Sequence, residues 1–193
     1  MIFSSIFVMG LPGIVGAEEP VFVETFENFL ETEASYVSGS FVGVNNITWN
    51  YEGARGDLGG FEIDGKGLMF RRPSDNPKIY ANIEGGISSF SVDTKKAFTG
   101  TGRRQIELLI NDESKGTFTL DNSIDGVQKF EVDTINIPGD FKLEIKHIGT
   151  ENGAQLVIDN IAWTPFTGEP VPVDDIAIKG PKEIAVGTST QLT

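Results

Sequence analysis

Cysteine is absent from the 193 residues, histidine occurs once, and 15 basic residues stand against 28 acidic ones. Without cysteine there is neither a disulfide framework nor a thiolate metal cluster. With His147 as the sole histidine, a histidine-rich zinc centre cannot be assembled, and no Ser or Cys nucleophile motif supplies the partners of a triad. The sequence nominates no catalytic residue, and His147 reads as a solvated strand histidine. A net charge of −13 opposes broad phosphate-backbone binding, which depends on Lys and Arg displacing counterions, so nucleic acid is not an expected partner. No apolar run reaches the ~20 residues of a membrane span.

With 39% apolar residues and 14 Phe, the chain can bury one full core, with no room for a second domain of ordinary size. Residues 1–17 read as a signal peptide: Ile2 to Val15 is almost wholly apolar, and Gly16 and Ala17 before Glu18 and Glu19 form a small-residue cleavage site. The expected location is therefore secreted or at a bacterial cell surface.

Period-two alternation of apolar and polar residues, the mark of half-buried strands, recurs along residues 41–44, 47–51, 67–70, 78–83, 87–92 and 141–146. Segments 105–110, 118–120, 130–132 and 156–158 extend the series. Asp64-Gly65, Gly85-Gly86, Asp125-Gly126 and Pro138-Gly139 supply turn chemistry between them. Only residues 24–36 offer a helical spacing, through Phe26, Phe29 and Leu30. About ten short antiparallel strands predict an all-β, two-sheet β-sandwich of the jelly-roll kind over residues 18–166. Trp49, Tyr51, Phe70, Phe90, Phe118, Phe130 and Trp163 are its expected core.

Residues 24–28 (ETFEN), 43–51 (GVNNITWNY), 53–57 (GARGD), 63–67 (IDGKG), 86–93 (GISSFSVD), 95–100 (KKAFTG) and 158–163 (IDNIAW) resemble a jelly-roll accessory module of bacterial secreted multidomain proteins. That resemblance implies a non-catalytic unit, often attached to an extracellular nuclease or another hydrolase. Segments 171–178 and 184–193 resemble the opening strands of a group 2 bacterial Ig-like domain, so residues 167–193 read as a linker and the truncated start of that domain. Downstream Ig-like and catalytic domains of a parent chain are the implied neighbours.

The resemblance also implies a structural calcium where early and late strands meet, with Glu24, Glu27 and Asp159 as its matching carboxylates. Alternation sets Asp159 on a face with Ile161 and Trp163, where a cation, Arg55 or a backbone cap would compensate its charge. Residues 121–126 imitate half a calcium loop but carry Val132 at the twelfth position, and read as a β-turn. Arg55-Gly56-Asp57 reads as a turn with a structural Arg–Asp pair. The doublets Arg71-Arg72, Lys95-Lys96 and Arg103-Arg104 read as solvated edge charge, with a phosphate or an acidic glycan as the ligand if they meet on one face. Two function classes follow. One is a binding module for a carbohydrate or cell-surface polymer, with Tyr36 and Tyr80 stacking on sugar rings and Arg71 beside them. The other is a structural spacer without a ligand.

Overall fold

The computed structural model describes residues 21–149 and 154–168. The expected signal peptide (residues 1–17) and the expected Ig-like strands (171–178 and 184–193) lie outside the described residues. Eleven strands and one 3-10 turn make up the regular structure: β1 (Phe22–Glu24), β2 (Val37–Val42), β3 (Thr48–Arg55), β4 (Leu68–Phe70), β5 (Lys78–Ile83), β6 (Ser89–Lys96), β7 (Gln105–Ile110), β8 (Glu113–Thr119), β9 (Gln128–Val132), β10 (Phe141–His147) and β11 (Leu156–Thr164). Every ladder is antiparallel. The order β8-β7-β10-β5-β3-β4-β11-β6-β9, with β2 on β3 and β1 on β11, folds into two packed layers of a jelly roll.

Strand β3 belongs to both layers. Trp49 to Glu52 pair with β5, while Ala54 and Arg55 pair with β4. The change of partner falls at Gly53, whose φ of +61° an L side chain adopts only with strain. Strand β11 is also divided: its N-terminal half borders β4 and its C-terminal half borders β1. A register shift against β6 between Asp159 and Ala162 marks the division, and Asn160 there has a φ of +50°. An extra bulge residue inverts the alternation that follows it. Leu156, Ile158, Ile161 and Trp163 all enter the main core, whereas Val157 belongs to a smaller cluster on the outer face. Asp159 therefore faces away from Ile161 and Trp163, contrary to the uninterrupted period-two expectation.

The main core draws on both layers, including Ile79, Ala81, Ile106, Leu108, Leu143 and Ile145 from the first and Leu68, Phe70, Phe90, Val92 and Phe130 from the second. Each large apolar side chain so buried contributes roughly 1.5–3 kcal/mol. Of the seven expected core aromatics, six are buried and Phe118 packs against the cluster partly buried, stacked on Phe130. No helix forms within 24–36. Phe26 and Phe29 instead plug one end of the core from an irregular loop, in contact with Phe41 and Tyr51.

Candidate functional site

In the first layer, alternation sends Trp49, Tyr51, Ile79, Ala81, Leu143 and Ile145 inward and leaves their neighbours on the outer face. Antiparallel register then sets those neighbours in rows. One row runs Ser40, Asn50, Tyr80, Glu144, Leu109 across β2, β3, β5, β10 and β7. Beside it, Asn82 stands opposite Lys142, and Lys78 opposite both Glu52 and Lys146. Tyr80, half-buried, is the aromatic at the middle of this face. The Nζ atoms of Lys78 and Lys142 lie 5.6 and 5.5 Å from its ring centroid, close enough for cation–π attraction.

The charges here are spent on one another. Lys78 pairs with Glu52 at 3.2 Å, Lys142 with Asp112 and Glu144 at 2.8 and 2.7 Å, and Lys146 with Glu144 at 2.9 Å. Burial pushes the Glu144 carboxyl up, but hydrogen bonds from Lys142 and Lys146 outweigh it and hold the group below the usual carboxylate range. The bonds to Asp112 and Glu144 raise Lys142 in turn. The β10 side of Tyr80 is thus a locked charge network, and its β3 side, apart from the paired Glu52, is amide and hydroxyl.

That side opens into a groove of about 620 Å³ lined mainly by Phe22, Asn45, Asn46, Thr48, Asn50 and Asn82, with the exposed Glu84 as its one carboxylate. Its wall is fixed by Glu24, buried at the end of β1, whose Oε1 accepts the Phe26 amide at 2.8 Å and whose Oε2 accepts the Val44 amide at 3.0 Å. Burial pushes the Glu24 carboxyl up against these bonds. The Asn45 amide donates to the Val23 carbonyl at 2.9 Å. Gly43 makes the approach possible, because a Cβ there would strike the Glu24 carboxylate and the Trp49 indole. On the open side the Phe22 ring stacks on Trp163 at 5.5 Å and stays 40% exposed.

The other expected site residues lie elsewhere. Tyr36 and Arg71 sit on the outer face of the second layer, where Tyr36 packs against Met69 and the Arg71 guanidinium lies 5.7 Å from its ring. Tyr36 and Tyr80 are therefore on opposite faces. Among the described residues no three His, Cys, Asp or Glu side chains gather closely enough to hold one metal ion, so Glu24, Glu27 and Asp159 do not form a shared cage. Their oxygens serve backbone amides instead: Glu27 accepts from Lys66 N at 3.1 Å, and Asp159 from Asp64 N at 3.1 Å and Asn160 N at 2.7 Å. Burial raises Asp159 to about 7, with Asp64 and Asp93 adding repulsion.

Three further expectations are corrected. His147 is not solvated: it is 2% exposed, its Nδ1–H donates to the Arg71 carbonyl at 2.9 Å, and burial lowers it to about 4. Arg55 and Asp57 do not pair, since Asp57 accepts the Gly59 amide while Arg55 donates to the Ala34 carbonyl. Arg104 is fully buried rather than edge charge; its guanidinium donates to the carbonyls of Gln155, Gly100 and Ala97 at 2.7–2.8 Å and to Asn122 Oδ1 at 2.6 Å. The 121–126 segment is a turn as read, with Ile124 N bonded to Asp121 O and Asp121 Oδ1 accepting from Ser123 N. Sequence reading passed over Asn50, Asn82 and Phe22. The signal for the first two was present, because each stands two residues from an outward position in a strand that alternation had identified.

No family model matches the chain, and no curated protein matches it. Among solved structures it is similar to the CBM36-1 domain of a multidomain xylanase from the hindgut metagenome of Trinervitermes trinervoides, with 14% identity, 75% of this chain and 96% of that one covered, and a TM-score of 0.45. A carbohydrate-binding module CBM36 solved with calcium and xylotriose gives 12% identity, 75% and 99% coverage, and 0.43. The C-terminal family 22 carbohydrate-binding module of Clostridium thermocellum Xyn10B gives 11%, 76% and 94%, and 0.47.

Proposed function

We propose that the chain is a non-catalytic carbohydrate-binding accessory module that works outside the bacterial cell alongside a hydrolase, and that it holds a neutral glycan on the outer face of the first layer. The observation that carries this reading is the row Asn50–Tyr80–Glu144 and its continuation through Asn82 into the 620 Å³ groove. A sugar ring offers an apolar C–H face and a rim of hydroxyls. Tyr80 and Phe22 match the first; the amides of Asn45, Asn50 and Asn82 match the second, each able to donate and accept. Because Lys78, Lys142 and Lys146 are already paired with carboxylates, this face has little free charge to offer an anionic polymer.

Affinity electrophoresis and calorimetry against soluble neutral polysaccharides test the reading. Tyr80→Ala and Asn82→Ala should each weaken binding by roughly tenfold, as expected for losing a central aromatic or a bidentate amide contact. If the protein binds none of a broad panel of glycans, the module is a spacer instead.

A further inference from the structure

We propose a second ligand site on the opposite face of the molecule, at Arg55, for a single anionic group carried on a sugar, such as the carboxylate of a uronic acid. The two buried arginines make the case by contrast. Arg104 is buried with its donors satisfied by surrounding carbonyls and Asn122. Arg55 is 9% exposed, yet its Nε meets only the Met69 thioether at 3.3 Å and its Nη1 only the Ala34 carbonyl at 3.0 Å. Among the described residues no carboxylate pairs with it, and its Nη2 has no hydrogen-bond partner. A thioether is a weak acceptor, and Nη2, not being among the buried unpartnered atoms, is open to solvent and to a ligand.

The group is also held in a fixed orientation. Its Cζ lies 5.1 Å from the Tyr36 ring centroid and 5.5 Å from that of Phe98, so aromatic rings clamp the guanidinium and leave an edge free. That edge is on the Gly59 side, where a Cβ would stand 3.7 Å from Nη2. Phe98 holds its place at a cost: its φ is +59°, a left-handed conformation that bulky residues rarely adopt, shared here by the core residue Phe26 at +58°. Phe98 is 38% exposed and braced by Phe61 in an edge contact at 4.9 Å. Arg71, over the same Tyr36 ring, is paired with Asp75 at 3.3 Å, and the Gly59 and Gly60 amides are already taken by the Asp57 and Glu62 carboxylates, so the positive charge facing a ligand is that of Arg55 itself and of exposed Arg72.

A planar carboxylate fits the open edge of a guanidinium, and the exposed Phe98 ring offers stacking area to the sugar that carries it. With a chain net charge of −13, long polyanions are repelled, so the site suits an isolated acidic substituent better than a continuous run of them. This site does not depend on Tyr80.

The test is an NMR titration of the protein with methyl glucuronide and, separately, with methyl glucoside, which lacks the carboxylate. The glucuronide should shift the amide signals of Gly59, Gly60 and Phe98 and bind roughly tenfold more tightly than the glucoside, the contribution of a charge-assisted hydrogen bond. Phe98→Ala and the surface double variant Arg71→Ala/Arg72→Ala should each weaken it, and Tyr80→Ala should leave it unchanged. Equal response to both sugars, loss of the response in Tyr80→Ala, or an equal response to inorganic phosphate or single-stranded DNA would overturn the assignment.

Discussion

The outer face of the first layer carries its side chains in the open, whereas that of the second lies under the loop between β3 and β4. Leu58, Phe61 and Ile63 from that loop join Tyr36, Met69, Ala97 and Val157 in a separate apolar cluster, and the loop also brings its Asp64 amide to Asp159. The open face keeps its shape through short-range charge pairs and strand register. The covered face depends on packing and on buried polar groups that have few alternatives. Side chains can therefore be exchanged on the first at small cost to folding, while changes on the second are felt by the whole domain.

The largest effect should come from the covered face. Met69 is fully buried and touches both the Tyr36 hydroxyl and Arg55 Nε, so Met69→Ala should lower stability by about 2–5 kcal/mol in urea unfolding. A loss no greater than that of an open-face variant would break the comparison.

Next is the pH response. Asp159 has a folded pKa raised to about 7, above its unfolded value, so it holds its proton more tightly when folded and stability falls as pH rises from about 4 to 7. His147 acts in the opposite sense: its folded pKa of about 4 lies below the unfolded value, so stability is present above pH ~6.5 and is lost as pH falls toward 4. The two slopes offset each other in the wild type. In Asp159→Asn the melting temperature should fall more steeply on acidification below pH ~6.5, with the rising-pH loss gone. An unchanged profile would mean that Asp159 does not titrate in this range.

Smaller again is the charge network of the open face. Glu144→Gln leaves Lys142 and Lys146 without their shared carboxylate and should cost roughly 1–2 kcal/mol at low salt, less in 1 M salt. The smallest change in stability belongs to Tyr80→Ala, under about 1 kcal/mol by thermal unfolding, even though the same variant should abolish most glycan binding. If it destabilised the protein as much as Met69→Ala, Tyr80 would be a packing residue and the open face would lose its claim to a ligand.

How much of this was legible in the sequence depended on how local the cause was. Alternation placed β5 and β7 at their observed bounds and the two-layer, all-β architecture with them, because each outward or inward position follows from its neighbours in the chain. Strand β1 escaped the alternation, because three residues carry too little pattern; only the resemblance, which set an early strand at Glu24 beside a late one at Asp159, anticipated its pairing with β11. The bulge at Asp159 escaped because its extra residue is defined by the division of β11 between β4 and β1. His147 and Arg104 were misplaced because burial of a polar group depends on which distant carbonyls come to meet it, here those of Arg71, Gly100, Ala97 and Gln155. The row through Tyr80 required register across three strands; the outward positions could be read singly, but not which of them would stand side by side.

The pairing of β1 with β11 sets how the domain would respond to being pulled. Phe22 lies beside Trp163 and Glu24 beside Ile161, so the entering and leaving chain run antiparallel and part at the same end. Tension applied through Val21 and Thr164 would load this three-residue ladder one hydrogen bond after another, as a zip rather than in shear. The first yielding event should therefore occur at low force and peel β1 away with the Phe22–Trp163 stack, opening the rim of the asparagine groove before the central sheets give. A module so joined would lose its grip under strain while its core stayed intact.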